Sequence, residues 1–267
     1  MNRVTSKDGT QIAFDRIGTG PAIILVGGGG GVDRGENAPL AEELANHFTV
    51  INYDRRGRGE SGDTPPYAIE REFDDIAALI DEVGGSAFVY GVSSGGALAL
   101  EAAAAGLPVT KVGAFEVPYD VYPGAPERHR AYTKELSALL AEGRRGAAFE
   151  LFMRLAGTPE EFIAQAPNSP LWPSLMANVP TLAYDAACLN DGGPPNDRLA
   201  AITQPVLVLT GQTIDRSMAG LGAGFFADAA DAIVAAIPKA ERAVIPQEGH
   251  IADPKAVAPV LRHFLDA

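Results

Sequence analysis

Residues 87–100 read AFVYGVSSGGALAL, and this stretch decides the fold. An apolar run of β character passes through Gly91-Val92-Ser93-Ser94-Gly95 directly into an Ala- and Leu-rich run of helical character. The glycines two residues before and after Ser93 permit a sharp turn in which neighbouring backbones approach closely. This strand–turn–helix setting is typical of a nucleophile elbow, which lifts a serine hydroxyl above the edge of a sheet. A serine that only caps the helix is the alternative interpretation.

Outward from this stretch, apolar runs of β character alternate with helical patterns. Residues 22–26 (AIILV) are continuously apolar, which is typical of a central buried strand. The alternation predicts an α/β fold, with a mostly parallel sheet covered by helices on both faces. Further strands are expected at 4–6, 11–16, 49–53, 112–115, 206–209 and 242–245, and helices at 39–47, 69–83, 94–105, 225–237 and from 254 onward.

The pattern changes between residues 118 and 195, where no good strand appears. Helical segments are expected near 128–142, 147–155, 160–166 and 171–188, with prolines between them. We therefore predict a helical cap, or lid, at 118–195 that lies over the sheet. Residues 1–117 and 196–267 would then form the core.

Several motifs occur in an order that resembles the α/β-hydrolase fold family over nearly the whole chain. They are residues 26–29 (VGGG), residues 53–61 (YDRRGRGES), the elbow at Ser93 and the pair Gly249-His250. The resemblance implies the α/β-hydrolase fold and a serine hydrolase. Because this fold carries many chemistries, the reaction has to be argued from the site itself.

Five consecutive glycines, residues 27–31, follow the strand at 22–26 and can present backbone N–H groups without side-chain obstruction. Such donors stabilise the oxyanion of acyl transfer. In the family, one donor lies in this loop and the other follows the nucleophile. The resemblance thus implies Gly29 and Ser94, with Gly28 and Gly30 close in register. A phosphate-binding glycine loop is the rival interpretation, but the Lys-Ser/Thr or G-x-G-x-x-G context it needs is absent.

His250 is the candidate general base among four histidines. It follows an expected strand and a glycine near the C-terminus, where a loop can bring an imidazole over the sheet edge. A neutral imidazole suits both removal of the serine proton and its return to a leaving group. We expect His47 and His263 to be structural or solvated, and His129 to lie in a charged part of the cap.

Two carboxylates compete for the third position, which orients the histidine. The family usually takes this acid from the loop after the strand at 206–209, where Asp215 lies one residue later than the usual spacing. Glu116 ends the strand that follows the elbow helix, a position used by certain lactone hydrolases and dehalogenases of the family. A partly desolvated carboxylate at this strand end needs a partner, and His250 would be a good one. We favour Glu116 and keep Asp215 as the alternative.

The composition excludes several other classes of function. The formal net charge is −13, and the only basic cluster is RRGR at 55–58, so no nucleic-acid partner is expected. No segment approaches the ~20 apolar residues of a membrane span, and the first ten residues do not resemble a signal peptide. With a single cysteine, Cys188, we expect a cytoplasmic protein without disulfides. No residue cluster has metal-ligand spacing, and we expect neither a metal nor a cofactor.

The expected substrate is a small molecule, an uncharged and moderately large carboxylic ester or lactone, cleaved through an acyl-enzyme at Ser93. Some aromatic and methionine residues near the predicted cap are expected to line an apolar pocket above Ser93, and the candidates are Tyr119, Phe152, Met153 and Trp172. The alternatives are C–C bond hydrolysis, perhydrolysis or biosynthetic cyclisation on the same scaffold, and a ligand-binding receptor without catalysis. Substrate identity and oligomeric state do not follow from the sequence.

Overall fold

A computed structural model describes residues 1–266. Eight strands form one sheet in the order β1-β2-β4-β3-β5-β6-β7-β8. The first two strands pair antiparallel to their neighbours, and all the other pairs are parallel. The strands are β1 (Asn2–Thr5), β2 (Gln11–Ile17), β3 (Ala22–Val26), β4 (Thr49–Tyr53), β5 (Ala87–Val92), β6 (Val109–Phe115), β7 (Val206–Thr213) and β8 (Ala240–Glu248).

Eleven α-helices are assigned among the described residues. They are α1 (Ala38–Leu44), α2 (Ile69–Glu82), α3 (Ser94–Ala104), α4 (Ala125–Ala141), α5 (Arg145–Leu155), α6 (Glu160–Gln165), α7 (Trp172–Asn178), α8 (Leu182–Cys188), α9 (Asn196–Leu199), α10 (Phe225–Ala236) and α11 (Pro254–Asp266). Short 3-10 helices occur at Arg34–Asn37, Ala166–Asn168, Val179–Thr181 and Arg216–Leu221. None of the described helices is long and apolar enough to cross a lipid bilayer.

The two faces of the sheet bury separate apolar layers. Along β3, Ile24 and Val26 face a layer that includes α2, α3 and α10, whereas Ile23 and Leu25 face a layer with α1 and α11. Side chains alternate between the faces of a strand, so a strand that is covered on both sides must be apolar throughout. This arrangement confirms the predicted α/β-hydrolase fold.

The parallel strands end at one edge of the sheet, and the candidate residues follow these ends. The glycine loop follows β3, Ser93 follows β5 and Glu116 follows β6. Asp215 comes shortly after β7 and His250 after β8. In open α/β sheets, the crevice at the carboxyl ends of the strands is where ligands bind. The topology therefore gathers residues that are far apart in the sequence.

The segment 118–195 is helical, and no strand occurs in it, as its sequence pattern predicts. It carries an apolar cluster of its own, which includes Tyr132, Leu136, Phe149 and Leu182. The single helix expected near 171–188 is wrong, because α7 ends at Asn178 and α8 begins at Leu182. Proline at position 180 lacks the N–H that a continuous helix needs, and a 3-10 turn connects the two pieces. The role of this segment as a lid stays a prediction.

Candidate active site

Ser93 occupies a strained turn between β5 and α3. Its φ of 54° and ψ of −124° are rare for a residue with a side chain. A Cβ on Gly91 would lie less than 3.0 Å from the carbonyl oxygen of Gly95, and one on Gly95 would meet the carbonyl oxygen of Gly27 equally closely. Only glycine fits at these two positions. The backbone N–H of Ser93 donates to the carbonyl of Phe115 at 2.8 Å, which ties the turn to the end of β6.

Glu116 and His250 are hydrogen-bonded at the adjacent strand ends. Glu116 Oε2 lies 2.7 Å from His250 Nδ1, and Glu116 Oε1 accepts from the backbone N–H of Gly211 at 2.9 Å. The His250 ring also stacks on Phe226, with a centroid distance of 5.0 Å. Since a carboxylate can only accept, Nδ1 carries the proton in this pair, and Nε2 is left as the basic nitrogen. The imidazole is thereby fixed in both tautomer and orientation.

Asp215 has a different role in the structure. Its side chain caps the 3-10 helix Arg216–Leu221 by accepting from the backbone N–H and the hydroxyl of Ser217. It lies near Gly249 but makes no hydrogen bond with His250 among the described residues. Of the two acids that the sequence left open, the structure brings Glu116 to the histidine.

The glycine loop faces the elbow at Gly28 and Gly29. A Cβ on Gly28 would contact Cβ of Ser93 at 3.4 Å, and one on Gly29 would contact Oγ of Ser94 at 3.3 Å. The N–H of Gly28 donates to Glu36 Oε2 at 2.6 Å, and that of Gly30 donates to Asp185 Oδ2 at 3.2 Å. The N–H groups of Gly29 and Ser94 have no acceptor among the described residues. These are the two donors that the sequence predicted for an oxyanion.

Comparison with known proteins agrees with the fold. A family model described as the alpha/beta hydrolase family matches residues 23–260. The chain belongs to this family. It is similar to an alpha/beta hydrolase from Sphaerobacter thermophilus DSM 20745, with 46% identity and a TM-score of 0.86 over 99% of this chain and 100% of that one.

Two further relatives are hydrolases by name. A thermophilic esterase from Thermogutta terrifontis, with malate bound, is 26% identical with a TM-score of 0.72 over 99% of this chain and 97% of that one. The uncharacterized hydrolase YraK of Bacillus subtilis (strain 168) is 38% identical over 97 residues, which cover 35% of this chain and 35% of that protein. The present chain is accordingly a hydrolase of the α/β fold.

Glu36, in the 3-10 helix after the glycine loop, was not among the candidates from the sequence. The Glu36 carboxyl lies against the start of the loop, with Oε2 3.4 Å from the position that a Cβ on Gly27 would occupy. Burial raises the pKa of Glu36, although the Gly28 N–H, His250 and Arg58 all favour its charged form. Glu36 Oε1 lies 3.3 Å from the position that a Cβ on Gly28 would occupy. An acid of raised pKa therefore lies against the glycine loop at Gly28.

A second unanticipated group is a buried cluster of charges beneath the glycine loop. Arg55 pairs with Glu72 at 2.7 Å and with Asp185 at 2.8 Å, and Arg58 pairs with Asp185 at 2.6 Å. All four side chains are at most 6% exposed. Although burial opposes its charge, the Arg55 guanidinium lowers the pKa of Glu72. No local pattern marks Asp185, which contacts the loop across 155 residues of sequence.

The residues predicted to line the substrate pocket occupy different surroundings. Phe152 is nearest to the site, since its ring would contact a Cβ on Gly30 at 3.0 Å. Trp172 packs edge-on against Phe149 at 5.6 Å, and Met153 joins the same apolar cluster of segment 118–195. The placement of Tyr119 in the pocket is wrong: its ring is fully buried in the core layer on the α3 side, where no surface remains for a substrate. Its apolar body explains this burial.

No metal centre is evident in the part of the chain that the structure describes. Within residues 1–266, no three His, Cys, Asp or Glu side chains are grouped so that they could hold an ion.

Proposed function

We propose that this chain is a serine hydrolase that cleaves an uncharged, moderately large carboxylic ester or lactone through an acyl-enzyme at Ser93. The observation that carries the proposal is the 2.7 Å contact between Glu116 Oε2 and His250 Nδ1, at the same sheet edge as the strained Ser93 turn. Nucleophile, base and orienting acid then follow β5, β8 and β6. Their placement at one sheet edge supports a mechanism of acyl transfer.

In the first half of the reaction, Ser93 Oγ attacks the substrate carbonyl while His250 Nε2 takes its proton. The carbonyl oxygen becomes an oxyanion, which the free N–H groups of Gly29 and Ser94 would stabilise. Collapse of the tetrahedral intermediate breaks the carbonyl–oxygen bond, and the imidazolium returns the proton to the leaving alkoxide. A lactone would keep its alcohol attached to the acyl chain.

In the second half, water attacks the acyl-enzyme with His250 again acting as base, and the acid is released with Ser93 restored. Glu116 remains ionised throughout and stabilises the imidazolium each time it forms. Its hydrogen bond from Gly211 N–H keeps the carboxylate in place for both halves.

The substrate class is argued from the walls of the site. The ring of Phe152 lies against the glycine loop, and Phe152 belongs to the apolar cluster of segment 118–195. The acid Glu36 lies on the other side of the loop, beside Gly28. A negatively charged acyl group would be poorly solvated between an apolar ring and a buried carboxyl group. An uncharged ester or lactone fits these surroundings, and the similar esterase from Thermogutta terrifontis supports ester cleavage.

Covalent labelling tests the proposal. Purified protein is incubated with a fluorophosphonate, the adduct is located by peptide mass spectrometry, and hydrolysis of p-nitrophenyl butyrate is measured in parallel. We expect one adduct on Ser93, and loss of both adduct and turnover in Ser93→Ala. A folded wild-type protein that forms no adduct and hydrolyses no ester would contradict the proposal and favour the receptor interpretation.

A further inference from the structure

The glycine loop beside Ser93 is a conformationally permissive stretch of backbone. Glycine loses more conformational freedom on ordering than any other residue, and five in succession at 27–31 must be held in place by something else. Apart from Glu36, the side chains that hold the loop are Arg58, which donates to Gly28 O at 2.6 Å, Asn178, which donates to Gly31 O at 2.9 Å, and Asp185. Asp185 and Asn178 come from segment 118–195, not from the sheet.

Asp185 joins the loop directly to the elbow. Its Oδ2 accepts from Gly30 N–H at 3.2 Å, and its Oδ1 accepts from the hydroxyl of Ser94 at 2.9 Å. Gly30 is the neighbour of Gly29, and Ser94 itself carries the second free N–H. A single carboxylate therefore connects the neighbour of one donor to the side chain of the residue that carries the other. A Cβ on Gly29 would lie 3.2 Å from Asp185 Cγ. The carboxylate therefore occupies the space into which a side chain at position 29 would project.

Two arginines hold this carboxylate from below. Arg55 Nη1 and Arg58 Nη2 both donate to Asp185 Oδ1, at 2.8 and 2.6 Å. Arg58 also reaches the loop with Nη1, through its bond to Gly28 O. Buried, charge-assisted hydrogen bonds of this kind are short and directional, and losing one partner is costly. Asp185 thus holds the loop at Gly30 directly and at Gly28 through Arg58.

We propose that Asp185 is a positioning residue for the oxyanion hole, and that it sets the separation of the Gly29 and Ser94 N–H groups from within helix α8. This inference rests on the proposed serine-hydrolase function. It makes segment 118–195 part of the catalytic machinery, because the acid that aligns the two donors belongs to this segment. A donor acts only when it points at the place where the oxyanion forms, so a small change in this spacing weakens binding of the transition state more than binding of the substrate.

The test compares Asp185→Asn with Glu72→Gln in the full-length protein. Both changes remove one carboxylate partner of Arg55, but Glu72 contacts neither the loop nor Ser94. With p-nitrophenyl butyrate, Asp185→Asn is expected to lower kcat about 10- to 100-fold with KM unchanged, less than the ~10²–10³-fold cost of deleting an oxyanion donor. Affinity for a trifluoromethyl ketone, which forms an oxyanion on the enzyme, should fall in parallel with kcat. Glu72→Gln should be less stable but keep its kcat.

Wild-type kcat in Asp185→Asn, or an equal loss of kcat in Glu72→Gln, would overturn the inference. If Asp185→Asn does not fold, Ser94→Ala is the deciding variant. It removes the hydroxyl that donates to Asp185 and accepts from Arg55, and it leaves the Ser94 N–H in place. Ser94→Ala should lower kcat without raising KM, and unchanged kcat would again overturn the inference. Failure of the wild type to label at Ser93 would instead contradict the proposed function.

Discussion

Glu116 Oε2 and His250 Nδ1 lie 2.7 Å apart although 134 residues separate them in the sequence. The contact arises because β6 and β8 flank β7 in the same parallel sheet, so that both residues emerge at one edge. Glu116 adopts a positive φ of 46° immediately after its strand, which is uncommon for a residue with a side chain. A strained backbone conformation persists only where the surrounding structure holds it in place, and such residues cluster at functional sites.

The close backbone packing at the elbow predicts a steric penalty at Gly95. Gly95→Ala would bring a Cβ against the carbonyls of Val26 and Gly27 and should lower the free energy of unfolding by about 1–3 kcal/mol. The matched control is Gly146→Ala in α5, where nothing lies within 4 Å of the new Cβ. This control should be neutral or more stable by up to ~1 kcal/mol, as expected for a helix. Urea unfolding followed by circular dichroism measures both, and equal stability of the two variants would contradict the steric account.

Cys188 should resist modification in the folded protein. Burial raises the pKa of its thiol to about 12, and the side chain is 1% exposed. Because the thiolate is the reactive species, Ellman's reagent at pH 8 should find no accessible thiol in the native state and one after denaturation in guanidinium. Rapid reaction of the native protein would show that α8 opens readily. It would contradict the tight packing of Cys188 beside Arg55 and Glu72.

Glu36 predicts a pH dependence of stability. Burial raises its pKa in the folded state above the ~4.3 of an unfolded glutamate, so between these two values the folded protein binds the proton more tightly. The wild type therefore loses stability as pH rises through this window. Glu36→Gln cannot ionise and keeps an acceptor for Gly28 N–H. The free energy of unfolding of Glu36→Gln, relative to that of the wild type, should therefore increase as pH rises. Denaturant unfolding from pH 4 upward measures this difference.

Glu160→Gln provides a control of opposite sign. The hydrogen bond from Arg154 lowers the pKa of exposed Glu160, so its ionised form adds stability above the unfolded pKa, and this stability is lost as pH falls through the folded value. Glu160→Gln should therefore be slightly less stable than the wild type at neutral pH and converge with it in acid. The same direction of change in both variants would contradict the assignment of a raised pKa to Glu36.

Much of the fold follows from local patterns in the chain. The strands at Ala22–Val26 and Thr49–Tyr53 have their predicted bounds, and α3 begins at Ser94 directly after the elbow. Here the burial pattern, the glycines and the helical run all favour the same structure. The helix expected near 171–188 is instead two helices, because the proline at 180 has no N–H to donate to a continuous helix.

Parts of the candidate site have no local signal. Ser93, Glu116 and His250 could be named because each directly follows a strand or is recognisable by its motif. Asp185 and Glu36 are single acids in helical turns, and such residues are usually solvated. Their contacts with the glycine loop depend on how segment 118–195 and the 3-10 helix after the loop fold back. The prediction that Tyr119 lines the substrate pocket was wrong for a related reason, since aromatic residues pack in a core as readily as in a pocket.

The most direct test of the account compares Glu116→Gln with Asp215→Asn, using fluorophosphonate labelling rates and ester turnover on folded protein. Glutamine can present the wrong hydrogen-bonding group to His250, and the comparable change in a serine protease lowers kcat about 10⁴-fold. We predict a loss of about 10³- to 10⁴-fold in Glu116→Gln for both readouts. Asp215→Asn should change them little, because Asp215 only caps the 3-10 helix at Ser217. A large loss in Asp215→Asn with full activity in Glu116→Gln would contradict the account and assign the acid to the loop after β7.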